Sequence, residues 1–124
     1  MNLVDSSAWL EYFADGPNAA FFAPVIEKSG ELIVPTIVVF EVYKRIRQQR
    51  DRHVALEAVA TLRAGRIVEL TLTLAIAAAA ISHSEKLPLT DSIILATARA
   101  ENALIWTQDA DFERVTGVKF RAKR

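Results

Sequence analysis

Apolar residues along this chain fall into short runs separated by turn residues and by longer stretches of helical spacing. Asn2-Leu3-Val4-Asp5 is a brief apolar run ended by an acid and two serines, which predicts a buried strand entering a turn. Ser6 or Ser7 is then placed to cap a helix in which Trp9, Leu10 and Phe13 share a face. Asp15-Gly16-Pro17 marks a turn, and a second helix is expected from about Asn18 to Lys28, with Pro24 as a start, kink or break inside it. Leu32-Ile33-Val34 reads as a second strand closed by Pro35, with Thr36 capping a helix that runs to about Gln49. A further helix covers about His53 to Arg63, a third strand Ile67 to Leu70, and an Ala-rich helix Thr73 to Ser84. Pro88-Leu89-Thr90 leads into a helix from Asp91 to Glu101. Ala103 to Trp106 is a fourth strand, Asp109 to Arg114 a short helix, and Val118 to Phe120 a weak edge strand.

Strands alternating with helices through short connections predict a three-layer α/β domain with a mainly parallel central sheet flanked by helices. At 124 residues, with no repeat and no linker-like stretch, residues 1–124 are expected to form a single domain. The chain is 52% apolar and 24% charged, which excludes a disordered or collagen-like polymer. It has no cysteine, so disulfides, thiolate metal sites and cysteine nucleophiles are excluded as well. The longest apolar run, Leu74 to Ile81, is far below the ~18 residues that span a bilayer. The first residues carry Asp5 and no basic stretch, unlike a secretory signal. A soluble cytoplasmic protein with no membrane association is therefore expected.

The net charge of zero conceals segregation. Residues 44–52 hold five basic side chains against Asp51 alone, and Arg114 to Arg124 hold five more with no acid. That leaves five cations against fourteen acids in the rest of the chain. An acidic centre flanked by basic surface suits a polyanion held beside a metal site. A solvated helix end and a frayed basic tail account for the same numbers.

In a parallel sheet, ligands bind beyond the carboxyl ends of the strands. Asp5 ends the first strand, Glu41 lies one turn into the helix after the second, Asp91 opens the helix before the fourth, and Asp109 follows the fourth. Each alone reads as a cap or a complement to a helix dipole. Glu41 is the most informative, because it interrupts the apolar segment Ile37 to Val42 and an unpaired buried carboxylate is costly. Neither His53 nor His83 is placed to complete a soft-metal site. An all-oxygen set suits a hard cation, Mg2+ or Mn2+. Lys44, Arg45 and Arg47 follow Glu41 on the same helix and are the candidate cations for contacting a polyanion's phosphates.

The pieces Leu3-Val4-Asp5-Ser6-Ser7, Pro35 through Glu41, Leu89-Thr90-Asp91-Ser92-Ile93-Ile94-Leu95-Ala96-Thr97-Ala98, and Leu104 through Phe112 resemble the PIN domain, and in particular the VapC-type toxins of toxin–antitoxin pairs. The resemblance covers essentially the whole chain. It implies that Asp5, Glu41, Asp91 and Asp109 form a catalytic metal-binding quartet. It also implies that Ser6 and Thr107 support them, and that Asp111 is an auxiliary acid. Gln108 departs from the pattern, standing where a basic residue is often seen. The activity implied is a Mg2+-dependent endoribonuclease that leaves a 5′-phosphate, forms a homodimer, and is neutralised by a cognate antitoxin. Trp9, Tyr12, Phe13, Phe21 and Phe22 are candidates either for an apolar groove that takes the antitoxin or for plain core packing.

The alternative is a non-catalytic PIN-like module that binds RNA or a protein, which has no need of four clustered carboxylates. A phosphatase of the haloacid-dehalogenase type calls for Asp-x-Asp after the first strand, where this chain has Asp5-Ser6-Ser7. A receiver domain calls for an acidic pair near the N-terminus, also missing here.

Overall fold

The computed structural model describes residues 1–124. Five short strands, β1 (Asn2–Val4), β2 (Leu32–Pro35), β3 (Arg66–Val68), β4 (Leu104–Thr107) and β5 (Val118–Phe120), form one sheet in the order β3-β2-β1-β4-β5. Every neighbouring pair is parallel. Helices α1 (Ser6–Phe13) and α2 (Ala19–Ile26) connect β1 to β2, and α3 (Thr36–Gln49) and α4 (Arg52–Leu62) connect β2 to β3. Helices α5 (Leu72–Glu85) and α6 (Leu89–Ala100) return the chain to β4. A single 3-10 turn, Ala110–Phe112, carries it on to β5. No helix is long and apolar enough to cross a membrane.

The strand order places β1 between β2 and β4, so the chain winds first to one side of β1 and later to the other. The point where this direction switches lies between the carboxyl ends of β1 and β4, where sheets of this kind leave a crevice. The central strands β1 and β2 and much of β4 are buried, while the edge strands β3 and β5 are largely open. Leu3, Val4, Ile33, Val34 and Ile105 are each at most 1% exposed, and Trp9, Phe22 and Phe112 pack against them from the helices. Trp9 and Phe22 are thus core residues, which decides between the two expectations for them in favour of core packing. Tyr12, Phe13 and Phe21 remain half-buried.

Several predicted boundaries moved for local reasons. Asp5, not Ser6 or Ser7, holds the N-cap position of α1, and its carboxylate caps nothing there. Pro35 precedes α3, with Thr36 as its first residue. Pro24 stays inside α2 without ending it. It is exposed, so the hydrogen bond it forfeits lies on the solvent side, where water replaces it. Strand β3 begins one residue earlier than expected, at Arg66, directly after Gly65. A Cβ on Gly65 would meet Val34 Cγ2 at 2.9 Å, so this close approach of the edge strand to β2 requires glycine.

Candidate metal centre

Three carboxylates meet at the crevice. Asp91, Asp109 and Asp111 each offer an oxygen within 4.8 Å of the others. Asp91 stands in the first turn of α6, the most deeply buried helix, with residues 91–98 all buried. Ser92 and Thr97 satisfy their hydroxyls on carbonyls of the preceding turn, but Asp91 has no such outlet. Asp109 follows β4, and its Oδ1 accepts the backbone N–H of Asp111 at 2.9 Å, which opens the 3-10 turn and holds the two acids together.

Asp5 approaches from the end of β1 and is 2% exposed. Its Oδ2 accepts hydrogen bonds from Ser7 Oγ and Thr107 Oγ1, both at 2.7 Å. Thr107 Oγ1 in turn accepts the backbone N–H of Asp109 at 2.9 Å. One hydroxyl at the end of β4 therefore fixes the acid of β1 relative to the acid that follows β4. Ser6 does the same between Asp5 and Glu41: its Oγ donates to Glu41 Oε1 at 2.7 Å and lies 3.3 Å from Asp5 Oδ1. A hydroxyl has one proton, and the shorter contact takes it. Glu41, half-buried on α3, thus finds the polar partner its apolar surroundings demand.

The electrostatics follow from this crowding. Burial pushes the Asp5 carboxyl above its ordinary value, with the Thr107 and Ser7 hydrogen bonds opposing and Asp109 adding repulsion. Glu41 is raised too, first by burial, with Ser6 opposing and the charges of Asp5 and Asp109 adding to the rise. Asp91 is pushed up to about 8, by burial first, then by Asp109 and Asp5, and by a hydrogen bond with Asp111 that favours the proton. The protein's ion pairs, His53–Glu57, Arg66–Glu101 and Arg99–Glu85, all lie elsewhere. None of these five acids has a cationic side chain within 4 Å. An unneutralised, partly buried, all-oxygen cluster fits a hard divalent cation.

A profile of the PIN domain matches residues 3–118. The chain belongs to the PIN-domain family. Comparison with curated protein sequences finds no match. Solved structures resemble it over nearly their whole length. A toxin–antitoxin complex from Klebsiella pneumoniae contains a chain 23% identical, with a TM-score of 0.83 and 100% of both chains covered. VapC20 of Mycobacterium tuberculosis, a toxin that cleaves the sarcin–ricin loop, is 18% identical with a TM-score of 0.77, covering 95% of this chain and 97% of the other. VapBC-1 from nontypeable Haemophilus influenzae includes a chain 14% identical with a TM-score of 0.74, covering 98% and 96%.

Beside the acids of this PIN domain lies an open groove of about 760 Å3. Ser6 and Glu41 line it on the acidic side, and Lys44 and Arg45 continue it along α3. Arg47 does not line the groove. Lys44 Nζ stands 5.7 Å from the ring centre of Phe40, which is 50% exposed. Asn18 carries no sign of this region in the sequence, and Ser7 and Lys123 stand out there only as parts of the family segment and the basic tail. Ser7 supports Asp5, Lys123 lines the groove from the C-terminal tail, and Asn18 donates to Gln108 Oε1 at 3.0 Å. Gln108 is 6% exposed, so this departure from the family pattern is a buried hydrogen-bonding residue.

Proposed function

We propose that this PIN domain is a metal-dependent endoribonuclease of the VapC toxin type, acting in the cytoplasm and neutralised by a cognate antitoxin. The observation that carries the reading is the convergence of Asp91, Asp109 and Asp111 at the sheet's switch point, with Asp5 near enough to repel Asp91 and no cation among them. Asp5, Asp91, Asp109 and Glu41 would hold Mg2+ or Mn2+, with Asp111 as an auxiliary acid. Bound there, the ion supplies an activated water and neutralises charge developing on the phosphodiester.

The chain's own side chains do the positioning. Thr107 and Ser7 keep Asp5 turned into the crevice, and Ser6 holds Glu41 against it. Lys44 and Arg45 line the adjoining groove as phosphate contacts, and exposed Arg47 offers a more distant one. The toxin–antitoxin complexes among the structural relatives favour an antitoxin partner. Homodimerisation is supported by α5, which has no charged side chain before Glu85 and leaves Leu72 and Ile76 79% and 64% exposed.

Cleavage of RNA by the purified protein, with Mg2+ or Mn2+ and then with EDTA, tests the reading. Metal-dependent cleavage that Asp91→Asn abolishes is the expected result. RNA binding without metal-dependent cleavage would assign the chain to the non-catalytic module instead.

A further inference from the structure

The last residues of the chain are tied down more firmly than a frayed basic tail requires. Beyond β5, the Arg121 backbone N–H donates to Thr107 O at 3.0 Å, and the Arg121 guanidinium sits 4.5 Å from the ring centre of Phe21. Ala122 O accepts from Asn18 Nδ2 at 2.9 Å. Asn18 is 1% exposed, and the same amide nitrogen donates to buried Gln108. The two donations of Asn18 Nδ2 specify one path for the tail, while its Oδ1 is buried without a partner. Asn18 is itself held by its backbone N–H, which donates to Glu11 Oε2 at 2.7 Å. Gly16 leaves room for the Glu11 carboxylate, which a Cβ at that position would displace. On the other side, Gln108 reaches the Ser7 backbone carbonyl and hydroxyl through longer contacts of 3.4 Å, and Ser7 donates to Asp5.

The next residue after this latch is Lys123, and it enters the groove that Glu41, Lys44 and Arg45 line from α3. The groove is thus lined by cations from two distant parts of the sequence, α3 and the C-terminal tail, together with Glu41 of the acidic cluster. A polyanionic strand lying along it would meet positive charge from both of those parts.

We infer that the C-terminal tail, latched by Asn18 and Gln108, is part of the substrate groove and presents Lys123 to a backbone phosphate of single-stranded RNA in addition to Lys44 and Arg45. This rests on the reading of the chain as a ribonuclease. Lys123 is a binding residue, and Asn18 and Gln108 are positioning residues that act through it.

The test is the salt dependence of binding of a short fluorescein-labelled single-stranded RNA in EDTA, together with steady-state cleavage in Mg2+. Removing one cation that neutralises a single-strand phosphate lowers the slope of log affinity against log salt by about 0.7. Lys123→Ala is expected to show that decrease and a raised KM at unchanged kcat, and Lys123→Arg to restore both. Asn18→Ala is expected to match Lys123→Ala, and combining the two to add nothing further. Lys123 is exposed, so Lys123→Ala decides the question even if Asn18→Ala folds poorly. An unchanged slope and KM in Lys123→Ala, while Lys44→Ala/Arg45→Ala lowers the slope, overturns the tail's role and leaves the ribonuclease reading standing. A wild-type protein that neither binds nor cleaves RNA overturns both.

Discussion

Helix α6 has an acid at each end, and the protein treats the two in opposite ways. Glu101, just past the last turn, meets Arg66 at 3.0 Å, and that hydrogen bond holds its carboxyl below the ordinary value. Asp91, in the first turn, is 6% exposed, has no cationic partner, and is pushed up to about 8. The helix dipole alone favours the reverse, since it stabilises an acid at the N-terminus and opposes one at the C-terminus. Burial and neighbouring carboxylates outweigh the dipole at Asp91, and Arg66 outweighs it at Glu101. A chain selected only for stability has no reason to bring Asp5, Asp109 and Asp111 toward Asp91. Perturbed, mutually repelling acids in a crevice are the mark of a site built for chemistry.

The largest effect should come from removing the functional acid. Asp91→Asn is expected to lower the cleavage rate by roughly a hundredfold or more, about 2.7 kcal/mol of transition-state stabilisation. Glu101→Gln should leave cleavage unchanged, because its carboxylate touches only Arg66. Single-turnover cleavage assays on both variants check this, and equal losses would erase the contrast between the two ends.

The pH dependence of stability sharpens the same comparison. Asp91 has an ordinary value of 3.8 and is raised to about 8 in the folded chain, so between those values the folded state holds more protons than the unfolded one. Stability of the metal-free protein should therefore fall as pH rises through that window, by up to about 1.4 kcal/mol per pH unit, and level off above it. The Glu101 shift has the opposite sign and acts only at acid pH. Denaturant melts between pH 5 and pH 9 in EDTA measure this slope, and Asp91→Asn should reduce it to what Asp5 and Glu41, also raised, contribute.

A smaller effect is expected at Thr107. Thr107→Val keeps the shape but removes the hydroxyl that joins Asp5 to the Asp109 backbone, at a cost of about 1–3 kcal/mol for the unsatisfied buried groups. Cleavage should fall with it, while Thr97→Val, which loses only a bond within α6, should cost stability alone. Smallest is the surface: Lys44→Ala/Arg45→Ala should lower the salt slope of RNA binding by about 0.7 for each phosphate no longer neutralised. Arg47→Ala, outside the groove, should change it less.

Much of this was legible in the sequence, for identifiable reasons. Short apolar runs and helical spacing are local patterns, so all five strands and six helices were placed to within a few residues. Asp5, Asp91 and Asp109 were readable as candidates because each sits at the end of a strand or the start of a helix, and the parallel sheet collects such positions at one edge. Glu41 announced itself by breaking an apolar segment. The latch was not legible, because Asn18 and Ala122 lie far apart in sequence and meet through a side-chain amide and a backbone carbonyl, which leave no periodic trace. Gln108 stands out in the sequence as unusual, but its burial is not visible from one residue, so its place in the latch was hidden. Pro24 has the look of a breaker because its exposure depends on how α2 packs.

The most direct test of the acidic cluster as a metal centre is a set of thermal melts of wild type and Asp91→Asn near neutral pH, in EDTA and in millimolar Mn2+. A cation that binds only the folded state raises its stability by mass action. The expected result is a melting temperature that rises with Mn2+ in wild type and does not in Asp91→Asn, with the variant at least as stable as wild type in EDTA. A wild type that ignores Mn2+, beside an Asp91→Asn that melts well below it in EDTA, would make Asp91 a structural residue and contradict the metal centre.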